Sequence, residues 1–372
     1  MKMRNENKRN ENMFSYATFW VSNSKQTAMY FVSQFGFTII DYEGMESGYS
    51  STATYTLKQG DVVFIVKSCI IPNHECVVSN HVALHGDSIR DIAFKVDDCE
   101  KAYHEALERG ATSVCKPHVK NKCVIATINT LTDVTHTFVE GEYIPSMSME
   151  TSDVNSINKL LSPVEFDRID HVVTNANHME PITTWYETVL NFHKFWSVDE
   201  TQIHTKYSAL RSTVMTNEDE TIKLPVNEPA PGLRESQIQE YVNYHGGAGI
   251  QHVAILTRDI IASVASLKIR GVEFLTIPST YYENLSARLS MSNIDLNNLD
   301  LKLITKYNIL VDFDDQGYLL QIFTKPITSR PTLFFEIIER HNFNGFGAGN
   351  FKALFESIEI EQANRHPITN TV

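Results

Sequence analysis

No stretch of this 372-residue chain approaches the roughly 18 uninterrupted apolar residues that a membrane-spanning helix needs, so bilayer insertion is not expected. The first twelve residues, MKMRNENKRNEN, hold no apolar core of the kind a secretory signal requires. Their mixture of basic and acidic residues makes a poor mitochondrial presequence as well, and they read as a disordered arm. Positive charge is in the minority: 32 Lys and Arg against 45 Asp and Glu give a net charge of −13. That balance excludes nucleic acid or an anionic membrane as the main partner. Cysteine is scarce. The five (Cys69, Cys76, Cys99, Cys115 and Cys123) all fall in the first half, form no C-x-x-C pair and are odd in number. Reduced thiols in a cytoplasmic protein are the expectation, with no role assigned to them.

What the chain does have is the composition of an ordinary folded protein, 42% hydrophobic and 21% charged, long enough for two domains. Two of its apolar, β-branched tracts contain a histidine: Ile169-Asp170-His171-Val172-Val173 and Ile250-Gln251-His252-Val253-Ala254. A third, from Pro331 to Ile338, contains Glu336 between Phe335 and Ile337. The spacings between the three polar residues are 81 and 84 residues. A carboxylate buried in such a strand is costly unless it is paired or binds a metal. Two imidazoles and one carboxylate compose the facial set used by non-haem iron(II) oxygenases.

These tracts belong to a repeat. Each of four copies has a short apolar strand, an amphipathic helix and further strands. The helices are expected at Lys25–Gln34, Cys99–Arg109, Ile182–Leu190 and Ile260–Arg270, the last with Ile261, Val264, Leu267 and Ile269 at helical spacing. Aligned by their first strands, the copies put Phe19 and Ile92 where His171 and His252 stand, which leaves the first half without ligands. The fold class expected is α+β, built of repeated βαβββ modules. Two open-barrel domains are expected at residues 13–146 and 162–372, joined by the polar tract Met147–Leu161.

The layout resembles the vicinal oxygen chelate superfamily, whose paired modules surround a metal. More narrowly, Ser162–Phe355 resembles the 4-hydroxyphenylpyruvate dioxygenase family, and the first half fits that family from about Phe14. The blocks that carry the resemblance include Asp170-His-Val-Val, Phe195-Trp-Ser-Val-Asp, Pro225-Val-Asn-Glu-Pro and Ser236-Gln-Ile-Gln-Glu-Tyr. Others are Gly246-Gly-Ala-Gly-Ile-Gln-His, Gly317-Tyr-Leu-Leu-Gln-Ile-Phe-Thr-Lys-Pro, Arg330-Pro-Thr-Leu-Phe-Phe-Glu and Gly345-Phe-Gly-Ala-Gly-Asn-Phe.

The resemblance implies iron(II) held by His171, His252 and Glu336, and a reaction that turns 4-hydroxyphenylpyruvate and O2 into homogentisate and CO2 in tyrosine and phenylalanine catabolism. It implies that Gln237, Gln251, Gln321, Asn227 and Ser212 form a polar network around the substrate. Phe323 and Phe351 are implied to hold its ring, with Phe334, Phe346 and Phe355 completing an apolar wall. Gln251 directly precedes a ligand, so strict strand alternation would turn its side chain to the other face. Phe351, Leu354, Phe355 and Ile358 form one helix face, with Asn350 as its expected N-cap, in a C-terminal helix that gates the site. A homodimer is implied, with the first half as scaffold. The rival readings are 4-hydroxymandelate synthase, which hydroxylates the benzylic carbon, and a non-catalytic binding protein of the same fold. Pro225, Asn227 and Phe323 favour the homogentisate-forming type.

Overall fold

The computed structural model describes residues 13–72, 76–145, 153–199, 209–290 and 299–365; the N-terminal arm and the first part of the interdomain tract lie outside them. The first module consists of β1 (Met13–Trp20), α1 (Ser24–Phe35), β2 (Thr38–Glu43), β3 (Thr52–Gln59) and β4 (Val62–Cys69). A helix, α2 (Val77–His85), leads into the second: β5 (Ser88–Lys95), α3 (Cys99–Glu108), β6 (Thr112–Lys120), β7 (Cys123–Asn129) and β8 (Thr135–Glu140). The third is β9 (Ile169–Asn175), α4 (Glu180–Leu190), β10 (His193–Val198), β11 (Ala209–Thr216) and β12 (Lys223–Ala230), followed by α5 (Gln237–His245). The fourth begins with β13 (Gly249–Leu256) and α6 (Ile260–Ile269), then inserts α7 (Ser279–Ser290) and α8 (Leu301–Tyr307). It closes with β14 (Leu310–Phe313), β15 (Tyr318–Phe323) and β16 (Phe334–His341), and α9 (Phe351–Arg365) ends the fold.

The module helices begin where the sequence supplies a cap. Asn23, Asp98 and Asp259 each accept, on the side chain, the backbone N–H three residues on, satisfying a donor that the first turn leaves unpaired. In the third module Pro181 sits in the first turn instead, where its missing N–H costs nothing.

Two eight-stranded sheets result, with the same strand order: β2-β3-β4-β1-β5-β8-β7-β6 and β10-β11-β12-β9-β13-β16-β15-β14. At the centre of each, the first strands of two modules run antiparallel (β1 with β5, β9 with β13). Both central pairs carry two bulges at equivalent places. The extra residues are Ser15 and Arg90 in the first sheet, and Asp170 and Gln251 in the second.

These bulges correct the alignment of the copies. Pair by pair, Tyr16↔Ala93 corresponds to His171↔Ala254, and Thr18↔Asp91 to Val173↔His252. In the neighbouring ladder, Thr137 corresponds to Glu336, each facing the equivalent alanine. The residues at the ligand positions of the first sheet are therefore Tyr16, Asp91 and Thr137, not the apolar Phe19 and Ile92. They form a closed polar plug in which Asp91 Oδ1 accepts from the hydroxyls of Thr135 (2.7 Å) and Thr137 (3.0 Å). With no imidazole at any of the three positions, the plug lacks the donor set of the second sheet. An ungapped alignment could not reveal it, because each bulge consumes a residue without advancing the register.

A second expectation also fails. Cys69 and Cys76 are joined by a disulfide, and only Cys99, Cys115 and Cys123 are free. Cys69 at the end of β4 and Cys76 just before α2 have Cα atoms 6.6 Å apart, inside disulfide range.

The halves interlock reciprocally. Phe335, next to Glu336 on β16 but pointing to the opposite face, enters an aromatic cluster of the first half: its ring lies 5.8 Å from Phe31, 5.2 Å from Phe35 and 5.6 Å from Phe64. The equivalent residue of the first sheet, His136, packs against α4, where its Nε2 meets the Tyr186 hydroxyl at 2.9 Å and its Nδ1 meets the Ile92 carbonyl at 3.0 Å. The first half thus backs the strand that carries Glu336. The tract expected as a linker is partly pinned as well: Asn155 is buried and bonds both the N–H and the carbonyl of Ile39.

Burial lowers the pKa of His136 to about 4, against the upward pull of its bond to Ile92. The unfolded chain binds the proton first, so His136 lowers stability progressively as pH falls from 6.5 towards 4. Asp91, raised to about 6 by burial, acts in the opposite sense. A difference measurement isolates the histidine. Between pH 7 and pH 4 the wild-type chain should lose roughly 3 kcal/mol of stability relative to His136→Gln, read by urea unfolding at each pH. A constant difference would mean that His136 titrates alike in both states.

Candidate active site

Three adjacent strands deliver the triad. His171 lies on β9, His252 on β13 and Glu336 on β16, and all three are buried. One donor atom from each falls within 4.8 Å of the others. Glu336 Oε2 lies 3.3 Å from His171 Nε2 and 3.4 Å from His252 Nε2. A right-angled set of ligands at about 2.1 Å from a cation would have its donor atoms about 3 Å apart, close to the two separations that Glu336 makes with the imidazoles.

Each of the three has a partner on its far side. Asp170 Oδ1 meets His171 Nδ1 at 2.7 Å, and Gln251 Oε1 meets His252 Nδ1 at 3.0 Å. Gln321 Nε2 donates to Glu336 Oε1 at 3.1 Å. A carboxylate or carbonyl at Nδ1 fixes the tautomer that leaves the Nε2 lone pair free for a metal. The bulges make this possible. Strict alternation would send Asp170 and Gln251 to the face opposite His171 and His252; the extra residue in each strand lets both side chains act on the same site. The alternation problem posed by Gln251 is thereby resolved.

The electrostatics mark a place for a cation. Burial alone would raise the Glu336 carboxyl, but the two imidazoles that face it, His171 more than His252, bring it down to about 2. Burial opposes a proton on His171, yet Glu336 and Asp170 outweigh it and raise its pKa. For His252, burial prevails and the pKa falls. His252 Nε2 is left buried with no hydrogen-bond partner, facing a carboxylate oxygen. Two lone pairs facing each other in a dry pocket call for a cation between them.

The cavity beside the triad is lined by Ser212, Asn227, Gln237, Gln251, Gln321, Phe323, Phe346, Phe351 and Phe355 among the residues named from the sequence. Phe334 is not in its wall; it lies behind, stacked on the His252 ring with centroids 4.8 Å apart. The five polar residues divide into two groups. Gln251 and Gln321 are committed to metal-ligand candidates, whereas Ser212 and Asn227, cross-strand partners on β11 and β12, and Gln237, at the start of α5, face the cavity. Gln237 Oε1 is buried and unpartnered.

Asn350 does not cap α9 as expected. It sits in the 3-10 turn Ala348–Asn350, and its Nδ2 donates to Gln321 Oε1 at 3.0 Å while its Oδ1 accepts from the Tyr281 hydroxyl at 2.7 Å. Gly347, at φ +71°, lies so close to Gln321 Oε1 that any Cβ there would collide with it. Sequence reasoning missed Asp170, Asn350 and Tyr281 as parts of this site. Only Asp170, an acid beside a histidine in an apolar strand, carried a readable signal.

Comparison with known proteins agrees with this geometry. Residues 168–322 match the family model described as Glyoxalase/Bleomycin resistance protein/Dioxygenase superfamily, and residues 6–153 match the one described as Hydroxyphenylpyruvate dioxygenase, HPPD, N-terminal. The chain is 44% identical over 364 residues to a 4-hydroxyphenylpyruvate dioxygenase of Dictyostelium discoideum, an alignment covering 95% of this chain and 98% of that one. It is 45% identical over 368 residues to the Danio rerio enzyme of the same name, covering 96% and 92%. Among solved structures, a mutant of 4-hydroxymandelate synthase from Streptomyces coelicolor matches with a TM-score of 0.81 and 28% identity, over 94% of this chain and 99% of that one. With its paired βαβββ modules and its buried triad of two histidines and a glutamate, the chain belongs to the 4-hydroxyphenylpyruvate dioxygenase family.

Proposed function

We propose that the protein converts 4-hydroxyphenylpyruvate and O2 into homogentisate and CO2, with iron(II) held by His171, His252 and Glu336. The observation that carries this reading is the buried triad opening on a cavity with an apolar wall and one unpaired amide oxygen. Iron(II), when bound, supplies the redox couple for O2 and coordination positions beyond the three protein ligands. The atoms balance without another reductant. One oxygen of O2 enters the new carboxylate and the other the ring, while the α-keto acid loses CO2.

The residues of the chain divide the remaining work. Among the three ligand candidates and the pair behind His171, Asp170 and Glu336 contribute two negative charges and Arg340 one positive, so a divalent ion would make that set one unit positive, the complement of the substrate carboxylate. Phe323 from β15 and Phe351 from α9 present aromatic surface to the substrate ring, each such contact adding roughly 0.5–1.5 kcal/mol beyond burial. Gln237 Oε1, buried and unpaired, is placed to accept the phenolic O–H, with Ser212 and Asn227 beside it. Trp196, Leu210, Phe346 and Phe355 keep water from the reacting carbons.

The test is anaerobic loading with iron(II), addition of 4-hydroxyphenylpyruvate and air, and chromatographic identification of the product alongside O2 uptake. Homogentisate in a one-to-one ratio with O2 is expected. Hydroxymandelate would transfer the assignment to the synthase whose mutant shares this fold, and absence of O2 uptake would leave a binding protein.

A further inference from the structure

Arg340 lies on β16 four residues beyond Glu336, on the same face of the strand, and reaches across to β9. Its Nε donates to Asp170 Oδ2 and its Nη2 to Asp170 Oδ1, both at 2.8 Å, in a two-pronged pair. Its Nη1 donates to the carbonyls of Phe343 at 3.1 Å and Gly345 at 2.6 Å. All three guanidinium nitrogens are therefore engaged, which fixes the plane of the group. The oxygen that takes Nη2, Asp170 Oδ1, is also the one that meets His171 Nδ1 at 2.7 Å.

A buried ion pair by itself signals little more than local order, since desolvation offsets much of its attraction. Two further features point to a role at the metal. The pair ends on a ligand candidate, at the ring nitrogen opposite the one that faces Glu336. The equivalent bulge at His252 is served differently, by the neutral amide of Gln251 at 3.0 Å. The two imidazoles are thus held by partners of different charge, and Asp170 alone has a guanidinium behind it.

We propose that Arg340 is a positioning residue for the metal centre: it clamps Asp170, so that Asp170 holds the His171 ring with Nε2 turned to the cation. The same guanidinium, through the carbonyls of Phe343 and Gly345, seats the loop that puts Phe346 edge-on to His171 with centroids 5.3 Å apart. Seating of the loop ahead of α9 and orientation of His171 are in this way one unit. Lysine cannot replace it, because a single ammonium cannot span both carboxylate oxygens and the loop carbonyls. The proposal rests on the reading of His171 as a metal ligand.

The test uses cobalt(II) titrated anaerobically into the metal-free full-length chain, with affinity and visible d–d absorption as readouts. Arg340→Lys and Asp170→Asn should each weaken cobalt binding by about 10- to 100-fold and shift the absorption bands. Because Arg340 acts through Asp170, the double variant should bind no more weakly than Asp170→Asn alone. His171→Ala, run in parallel, should lose binding altogether; if it binds like the parent, the ligand assignment itself is wrong. If it loses binding while both other variants stay within twofold of the parent with unchanged spectra, or if their losses multiply in the double variant, the clamp is overturned and the triad stands. Melting temperatures accompany each titration. Should Arg340→Lys not fold, Asp170→Asn, which exchanges one oxygen for an NH2, decides the question through the same readouts.

Discussion

Glu336→Gln should abolish turnover, by about 1000-fold or more, and should raise the iron(II) dissociation constant steeply while leaving the fold in place. The amide matches the carboxylate in shape, and Gln321 still has an oxygen to donate to at 3.1 Å in the wild-type geometry. What is lost is the anion. In the native site Glu336 Oε2 faces two imidazole nitrogens at 3.3 and 3.4 Å, and it is the sole carboxylate among the three candidate ligands. An amide is a far weaker ligand for a hard divalent cation, and if its NH2 turned inward it would present donors where lone pairs are needed. Equilibrium dialysis against iron(II), together with O2 uptake, gives both quantities. Retention of more than a tenth of wild-type turnover would remove Glu336 from the metal site.

Truncation after Asn350 should separate metal binding from chemistry. Iron(II) affinity should stay within a few-fold of wild type, because the three candidate ligands and their partners Asp170, Gln251 and Gln321 all precede the cut, and Asn350 itself is kept to hold Gln321. Turnover should fall by about 100-fold or more. The helix removed supplies Phe351, Leu354 and Phe355 to the cavity wall, and Phe355 is fully buried against Ile238, Leu210 and Val198. Without it the cavity opens to water and one of the two aromatic surfaces offered to the substrate ring is gone. O2 uptake uncoupled from product is the further sign to look for. Unchanged turnover with full coupling would mean that α9 is no lid.

The triad is legible in the amino-acid sequence because its three residues break a local rule. A histidine or a glutamate inside an apolar strand carries a desolvation cost that needs a compensating partner, and near-equal spacing ties the three tracts to one repeat. The module helices are readable to within two residues at either end, since caps and apolar spacing are local properties. The bulges are not. Nothing in Asp170 or Gln251 announces that it will be the extra residue in its strand, because a bulge depends on the register of the partner strand. That single gap misaligns the first half, conceals the plug of Tyr16, Asp91 and Thr137, and leaves the position of Gln251 unresolved. The Cys69–Cys76 bond and the Arg340–Asp170 pair are hidden for a related reason, as each depends on where the chain turns back or which strands lie side by side.

The amino-acid sequence by itself displayed the repeated βαβββ unit and marked His171, His252 and Glu336 as costly residues in apolar strands, because burial and periodicity are written residue by residue, whereas the aromatic residues expected in the pocket came from the family resemblance. The tertiary structure decided which side chains serve the ligands and which face the cavity: Gln321 turns to Glu336 and Asn350, Gln237 is left free, and Phe334 lies behind His252. Those choices follow from bulges and from contacts between strands up to 170 positions apart, and so from packing that no local pattern encodes.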